Sequence, residues 1–376
     1  MPVKKPQISV IKQNIGVDIS KDDFKACFYH LEASGRKVIK GTRTFKNTLA
    51  RFKAFLKWIE KKRIKNLEVH ITLEATGVYY ENLTHFLHSN DYFVSVVLPN
   101  QSKAYAQSLN LKTKTDKVDA KMLGQLGIER NLFRWKPTSN QIRKLKQLTR
   151  DRANLLEEKT ALSNKLHALA HSFEADKGVI KRAKQRLNLL KKQIKQVEKD
   201  ILTTVQADDV LQKKIDNICK IKGLGMVTVA TIIAETNGFE LFTSRSQLIS
   251  YAGYDVVQKQ SGTSINGKTR ISKKGNSHIR RAMYFPAICM VKHEPAFKQL
   301  FERVLERSGI KMKGYVAVQR KALILIYALF KNDEVYNPNY QQNKQKENVK
   351  ESSKKVDRIQ ILPTLDARSK ATSFVA

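Results

Sequence analysis

The apolar positions of the first 130 residues predict an alternation of strands and helices. Three runs with the two-residue period of strands come first, and the pattern then switches between helical periods and short apolar runs. The predicted order is strand, strand, strand, helix, strand, helix, strand, helix. The corresponding ranges are 15–19, 23–31, 37–45, 49–61, 67–73, 79–88, 92–98 and a last helix opened by Lys114–Ala120. Pro99 ends the last strand, and a polar loop is expected after it.

Three antiparallel strands followed by alternating helices and parallel strands are typical of the RNase H-like fold. That fold keeps metal-binding acids inside its first strand, at the end of its fourth strand and at the start of a late helix. Asp18, Glu74 and the pair Asp116 and Asp119 occupy these places. Four such carboxylates can bind two Mg²⁺ ions for phosphoryl transfer. A fold alone does not give a function, so this interpretation depends on the acids.

The pair Asp116 and Asp119 also has a simpler interpretation. Acids three residues apart share one face of a helix, so both can point at one site. The same residue types are common at helix N-termini, where Thr115 or Asp116 would be the cap and Asp119 would complement the helix dipole. The two roles are compatible.

The middle of the chain is predicted to be helical after a hinge at Trp135–Asn140, where Pro137 stops the preceding segment. Two series of apolar residues spaced three and four apart are typical of a coiled coil, and Lys177-Gly178 marks the break between its arms. An antiparallel hairpin or a dimerisation arm would result. Ordinary amphipathic helices of a bundle explain the same pattern. The two series are Leu162, Leu166, Leu169 and Phe173, and Leu187, Leu190, Ile194, Val197 and Ile201.

The C-terminal part is predicted to be mainly helical. Helices are expected at 226–234, 278–290, 297–307 and 315–330, and the polar residues from 332 onward are expected to be disordered. The Gly223-Leu224-Gly225 turn resembles a helix-hairpin-helix, whose backbone amides can hold a DNA phosphate. A plain turn between helices is the alternative.

A Gly-rich, basic segment between these helices contains Ser261 beside Gly262. An exposed serine there could attack a phosphodiester while neighbouring cations hold the phosphate. A flexible loop that binds DNA by charge alone is the other interpretation, because no His or Asp lies nearby in sequence to act as a base. The candidate nucleic-acid-binding cations are Lys268, Arg270, Lys273, Lys274, Arg280 and Arg281.

Composition supports a polyanionic partner. Lys and Arg total 70 against 34 acids, a net charge of +36 that is spread along the chain, which favours nucleic acid over a membrane surface. Three scattered cysteines indicate neither a disulfide framework nor a zinc site. With no signal-peptide pattern and no apolar run of membrane-spanning length, a cytoplasmic protein is expected.

Five motifs resemble the DEDD transposases of bacterial insertion sequences. This family is also called the bridge-RNA-guided recombinases, and it includes the Piv DNA invertase. The resemblance covers about residues 14–330, and the motifs follow the family's order. They are Gly16–Ser20, Leu73–Gly77, Lys114–Ala120, Ile221–Gly225 and the block from Ala252 to Ala282.

The resemblance implies that Asp18, Glu74, Asp116 and Asp119 hold Mg²⁺ and that Ser261 is a nucleophile joined covalently to DNA. It also implies a homo-oligomer, dimer or tetramer, in which the acids of one subunit act with the serine of another. A structured noncoding guide RNA would pair with the element and target DNA, and the protein would be bacterial and nucleoid-associated. The family commonly has Pro after the Ala-Gly step, where this chain has Tyr254–Val257, so Ser264 stays an alternative nucleophile.

The predicted fold class is therefore α/β plus α: an RNase H-like (RuvC-like) domain, a coiled-coil linker and a mainly helical serine transposase domain. The expected function is Mg²⁺-dependent DNA recombination. A Holliday-junction resolvase or nuclease without a covalent intermediate is the second hypothesis, and a non-catalytic architectural protein is the third. The predicted segments are a basic extension (1–13), the DEDD domain (14–136), the coiled coil (137–212), the serine domain (213–331) and a disordered tail (332–376).

Overall fold

The computed structural model describes residues 9–337, with the exception of residues 76, 111, 114, 241, 259, 262–264 and 268. The chain divides into two compact units, Met1–Pro137 and Thr138–Ala376. The predicted tail beyond residue 337 and the first eight residues lie outside the described part. Within the described residues, no helix combines the length and apolar character that crossing a membrane requires.

The first unit contains the predicted order of strands and helices, with one addition. Its elements are β1 (Val10–Ile19), β2 (Asp23–Glu32), β3 (Lys37–Lys46), α1 (Leu49–Glu60), β4 (Val69–Glu74), α2 (Glu81–Ser89), β5 (Phe93–Val97), α3 (Pro99–Ser108) and α4 (Asp116–Glu129). The prediction of a polar loop after Pro99 was wrong, because this segment forms α3. Pro99 takes the first helical position, where its missing N–H is not needed. The Gln101 side chain accepts a hydrogen bond from the Leu98 N–H at 3.1 Å.

The five strands form one sheet in the order β3-β2-β1-β4-β5. β1 pairs antiparallel with β2, and β2 pairs antiparallel with β3. β4 runs parallel to β1 and to β5. Apolar side chains of α1 and α2 form a core together with one face of this sheet. The buried residues of this core include Phe24, Phe28, Phe55 and Leu83. Residues at alternate positions of β1, such as Asn14 and Gly16, face α4 instead.

α4 lies unusually close to β1 because two glycines meet there. A Cβ placed on Gly16 would lie 2.0 Å from the backbone nitrogen of Gly124 and 2.2 Å from the carbonyl oxygen of Ala120. No side chain fits in that space, so the helix backbone rests directly on the strand. Asn14 adds a buried hydrogen bond, from its Nδ2 to the Gly124 carbonyl at 2.8 Å. The first turn of α4 is thereby held near the end of β1.

The second unit is mainly helical, as predicted, with two short antiparallel strand pairs. Its elements are α5 (Asn140–Ala170), α6 (Lys177–Gln206), α7 (Asp209–Cys219), α8 (Met226–Glu235), α9 (Arg245–Ala252), β6 (Val256–Val257), β7 (Gln260–Ser261), β8 (Ile265–Asn266), β9 (Arg270–Ile271), α10 (Ser277–Ala282), α11 (Tyr284–His293), α12 (Pro295–Ser308) and α13 (Lys311–Asn332). Its core is formed by apolar side chains from α6 to α13 together with Leu145 of α5.

α5 and α6 pack as an antiparallel helical hairpin, in which Arg152 in the first half of α5 donates a hydrogen bond to Glu198 in the second half of α6 at 2.8 Å. The predicted break at Lys177-Gly178 was wrong, since both residues lie in the first turn of α6. The break between the two helices lies before Lys177, because the Asp176 side chain accepts a hydrogen bond from the Val179 N–H at 2.7 Å and caps α6.

The single helix predicted over 278–290 is divided into α10 and α11, which meet at Met283. Pro286 explains the division. Proline has no N–H to donate to the carbonyl four residues earlier, so a continuous helix through this point would lose a hydrogen bond and clash. A proline in the first turn of a new helix avoids both costs.

Candidate active site

The four predicted acids lie at one end of the sheet in the first unit. Asp18 is the penultimate residue of β1, and Glu74 is the last residue of the parallel strand β4. Asp116 and Asp119 lie in the first turn of α4. Thr115 is the cap of that helix, since its Oγ1 accepts a backbone N–H at 3.3 Å, so Asp116 is not needed as the cap.

The electrostatics show that these four acids influence one another. Burial, followed by the charges of Asp119, Asp116 and Glu74, raises the pKa of Asp18 to about 6, against a smaller opposing effect of Lys25. Like charges nearby disfavour ionisation, so the effects of Asp119, Asp116 and Glu74 indicate that these acids lie near Asp18. Within the described part of the chain, however, no three His, Cys, Asp or Glu side chains are arranged to hold one metal ion. The four acids lie near one another, but their side chains do not surround a single ion position.

Lys25 supplies a positive charge to this cluster. It lies directly opposite Asp18 in the antiparallel β1–β2 pair, so both side chains lie on the same face of the sheet. Its Nζ donates to Asp116 Oδ2 at 2.6 Å. That hydrogen bond and the ammonium charge lower the pKa of Asp116. Our sequence analysis missed Lys25, although the short turn between the first two strands could have indicated the register that places it there.

The residues fit a divalent cation by their chemistry. Carboxylate oxygens are the ligands that Mg²⁺ prefers. The raised pKa of Asp18 shows that repulsion among the acids is only partly offset, and the contact between Lys25 and Asp116 shows that positive charge is accommodated there. A bound ion would have to draw Asp18, Glu74, Asp116 and Asp119 closer together than they are.

Ser261 belongs to the second unit, where it ends β7. Its backbone pairs with that of Ile265 in β8. The alternative nucleophile Ser264 and the cation Lys268 lie outside the described residues. Arg270 is exposed at the start of the neighbouring strand β9. The proposed nucleophile therefore lies in a short antiparallel strand pair rather than in a wholly irregular loop.

The Ser272–Asn276 turn brings two further cations to the surface. Lys273 and Lys274 are exposed. The Ser272 hydroxyl donates to Asp255 Oδ1 at 2.6 Å, and it accepts the Lys274 N–H at 3.2 Å. The turn therefore has a fixed backbone, while the two lysine side chains reach solvent.

Arg280 and Arg281 have structural contacts that the sequence did not indicate. The Arg280 Nη1 donates to the carbonyl oxygens of Ala252 at 2.8 Å and Asn276 at 3.2 Å. Arg281 forms an exposed ion pair with Glu157. Arg280 thus holds the polypeptide on both sides of the Ser-Gly segment.

The two glycines of the Gly-x-Gly turn differ in their surroundings. A Cβ on Gly223, whose φ is +101°, would lie 3.0 Å from the Cβ of Cys289 and 3.1 Å from the backbone nitrogen of Met290. Gly223 is therefore explained by its conformation and by packing against α11. Gly225 is the N-cap of α8, and no atom lies within 4 Å of the position of an added Cβ. Of the two, only Gly225 has open space in front of it.

A buried polar network supports the turn of Lys273 and Lys274, and sequence reasoning missed it. Glu235, at the end of the apolar helix α8, accepts Arg150 Nε at 2.7 Å and Nη2 at 3.0 Å. Asn276 Nδ2 donates to the same carboxylate at 2.7 Å. Burial acts to raise the pKa of Glu235, but the bonds from Arg150 and Asn276 outweigh it and lower the pKa. The sequence feature that could have indicated this network is an acid at the end of so apolar a helix.

Comparisons with known proteins identify relatives of this chain. One family model, described as a transposase, matches residues 15–173, and a second, described as the transposase IS116/IS110/IS902 family, matches residues 215–302. Pilin gene-inverting proteins of Moraxella bovis and Moraxella lacunata are each 29% identical over 330 residues, which cover 86% of this chain and 98% of theirs. An uncharacterized 43.6 kDa protein of insertion element IS110 from Streptomyces coelicolor is 26% identical over 114 residues, 30% of this chain and 28% of that protein.

Among solved structures, T. thermophilus RuvC in complex with Holliday junction substrate aligns with 30% of this chain and 90% of that one, at 12% identity and a TM-score of 0.23. A TM-score this low does not establish a shared fold. The two family models carry the identification: the protein is a transposase, a class of enzymes that rearrange DNA. Within that class, the chain belongs to the IS110 family.

Proposed function

We propose that the protein is a Mg²⁺-dependent DNA recombinase that moves its own insertion element through a covalent link between Ser261 and DNA. The observation that carries this proposal is the placement of four carboxylates at one end of the sheet, where burial and the charges of the other three acids raise the pKa of Asp18. The observed strand order supports an RNase H-like unit. The names of the two Moraxella relatives describe DNA inversion, which also requires cutting and rejoining DNA.

In this proposal, Asp18, Glu74, Asp116 and Asp119 hold Mg²⁺. When bound, the metal offsets negative charge that develops on the attacking and leaving oxygens. The Ser261 oxygen would form a bond to the phosphorus while the bond from phosphorus to one DNA oxygen breaks, and the serine proton would pass by way of a carboxylate of the acid cluster to that leaving oxygen. The exposed cations Arg270, Lys273 and Lys274 would bind the DNA phosphates next to the reacting bond.

The acids and Ser261 belong to different units of the chain. We propose that the reacting site is composite, with acids and serine supplied by different subunits of a dimer or tetramer. A guide RNA is proposed on the family resemblance and on the net charge of +36, which suits a polyanion of either kind.

Trapping of a covalent adduct tests this function. The protein is incubated with Mg²⁺, element-end DNA and the RNA transcribed from the element, and protein–DNA adducts are resolved on a denaturing gel. Wild type should form the adduct, whereas Ser261→Ala and Asp116→Ala should form none. Ser264→Ala is the matched control and should retain it.

The other hypotheses give different results. A nuclease or junction resolvase would cut DNA without an adduct, and it would survive Ser261→Ala. A purely architectural protein would bind DNA and cut nothing. If Ser264→Ala abolishes the adduct while Ser261→Ala retains it, Ser264 is the nucleophile. An adduct that forms equally well without the RNA would refute RNA guidance.

A further inference from the structure

One face of α6 carries charge of a single sign over nearly the whole length of the helix. Most of its residues recur at spacings of three, four or seven, and at 3.6 residues per turn all of them fall within a sector of roughly 100°. We call this set the lysine stripe. It consists of Lys177, Lys181, Lys184, Lys191, Lys192, Lys195 and Lys199. All seven side chains are exposed.

The lysine stripe lies away from the packed side of the helix. The buried residues of α6 include Leu190, Ile194, Val197 and Ile201, whose positions on the helical wheel centre roughly 130° from the stripe. Among the described residues, none of the seven lysines forms an ion pair. No acid occurs on α6 before Glu198. The stripe is therefore open to solvent, and among the described residues its lysines are not ion-paired.

A solvated helix surface does not require this arrangement. Lysines spaced three or four residues apart repel one another and destabilise the helix, whereas exposed helices commonly alternate charges of opposite sign. A partner of opposite charge would relieve the repulsion. A second copy of the same face would increase it, because a two-fold contact would bring lysines against lysines.

We propose that the lysine stripe binds the phosphate backbone of duplex DNA. From Lys177 to Lys199 it extends roughly 33 Å at 1.5 Å per residue. One turn of duplex DNA measures about 34 Å. A straight helix of this length laid along a duplex can meet phosphates of both strands. The partner is DNA because the chain belongs to a family of DNA transposases.

This surface is separate from the proposed reacting residues. The four acids lie in the first unit, and Ser261 lies beyond residue 215 in the chain. α6 falls between the two family-model matches, which end at residue 173 and begin again at residue 215. The stripe would therefore be a site that holds flanking DNA without reading its sequence, since phosphate contacts position a protein but do not specify bases.

A pair of double variants tests the proposal. Lys184→Gln/Lys195→Gln removes two charges from the stripe. Arg182→Gln/Arg186→Gln removes two exposed charges from the same helix, roughly 140–180° around it from Lys177, and it is matched in net charge and helix context. Binding of a random-sequence duplex of about three helical turns is measured by fluorescence anisotropy in EDTA between about 50 and 200 mM salt. Circular dichroism checks that both variants keep their helicity.

The stripe variant should lower the slope of log K against log salt by roughly 2, because each lost phosphate contact removes about 0.9. Its affinity near physiological salt should fall by on the order of tenfold. The arginine variant should match wild type. EDTA prevents metal-dependent cleavage, so failure of the proposed catalytic chemistry would leave this result unchanged.

Three outcomes would overturn the proposal. Equal losses in both variants would mean that only total charge matters. A slope that changes for an RNA duplex but not for DNA would make RNA the occupant of the stripe. A changed oligomeric state in light scattering, with the DNA slope unaltered, would identify the stripe as a protein interface.

Discussion

Replacement of Asp18 by Asn measures the cost of an ionised Asp18, which comes from burial and from repulsion by the neighbouring acids of the proposed metal site. Burial and three neighbouring acids raise the pKa of Asp18 from 3.8 to about 6. That difference in pKa corresponds to roughly 3 kcal/mol. Because the carboxyl is only partly buried, solvent screening reduces this to about 1–2 kcal/mol. Asp18→Asn should therefore raise the free energy of unfolding by about 1–2 kcal/mol near neutral pH without divalent ions, while abolishing DNA rearrangement.

The pH dependence has a defined direction. The pKa of Asp18 is higher in the folded protein than in the unfolded chain, so the folded state binds more protons between about pH 4 and pH 6. Wild-type stability from this group is therefore lost as pH rises through that window. The Asp18→Asn variant has no carboxyl at this position to titrate. Its advantage over wild type should be absent below about pH 4 and complete above about pH 6.

Tryptophan fluorescence during urea unfolding gives the required measurement, because Trp58 and Trp135 are the only tryptophans and both lie in the first unit. Asp22→Asn, in the turn before β2, removes the same charge from an exposed position and should change stability little. If Asp18→Asn is no more stable than Asp22→Asn at neutral pH, or if its advantage is the same at pH 4, the acids do not repel one another as argued.

Three further substitutions test the surroundings of the site. Lys25→Met should change stability little, since its partner Asp116 is exposed. It should nevertheless increase the rise in melting temperature caused by Mg²⁺, and an unchanged metal response would count against competition between lysine and metal. Gly16→Ala should destabilise the first unit by about 3 kcal/mol, because the added methyl meets the backbone of α4; native tryptophan fluorescence and wild-type urea stability would contradict this. Arg150→Met should lower the stability of the second unit by about 3–5 kcal/mol in thermal unfolding, because it removes the guanidinium from buried Glu235. Adding Glu235→Gln to this variant should recover part of the lost stability. If it recovers none, the explanation by an unpaired buried charge is refuted.

Much of the first unit was predictable because its signals are local. The apolar runs of β1, β2 and β4 and the helical period of α1 are each contained in about ten residues, and their order confirmed the predicted succession of elements. α3 was missed because its sequence is polar and lacks a clear apolar stripe. Only the proline at its first position indicated a helix, and proline was interpreted as a stop.

The supporting contacts of the site were not predictable in the same way. Lys25 reaches Asp116 across 91 residues of sequence, and Arg150 reaches Glu235 across 85. Each contact depends on register or on helix packing that single residues do not encode. The sequence therefore identified the candidate acids but not the cation that approaches them.

The geometry of the acid cluster depends most on residues without side chains. Gly16 lets the backbone of α4 lie directly on β1 at Ala120 and Gly124, and Gly124 in turn leaves room for the ring of Tyr29 on β2. Any larger side chain at these glycines would move the helix outward and carry Asp119 away from Asp18. The two glycines therefore determine how closely the first turn of α4 approaches the end of β1. In the sequence they only interrupt a strand and a helix, so their role follows from the packing.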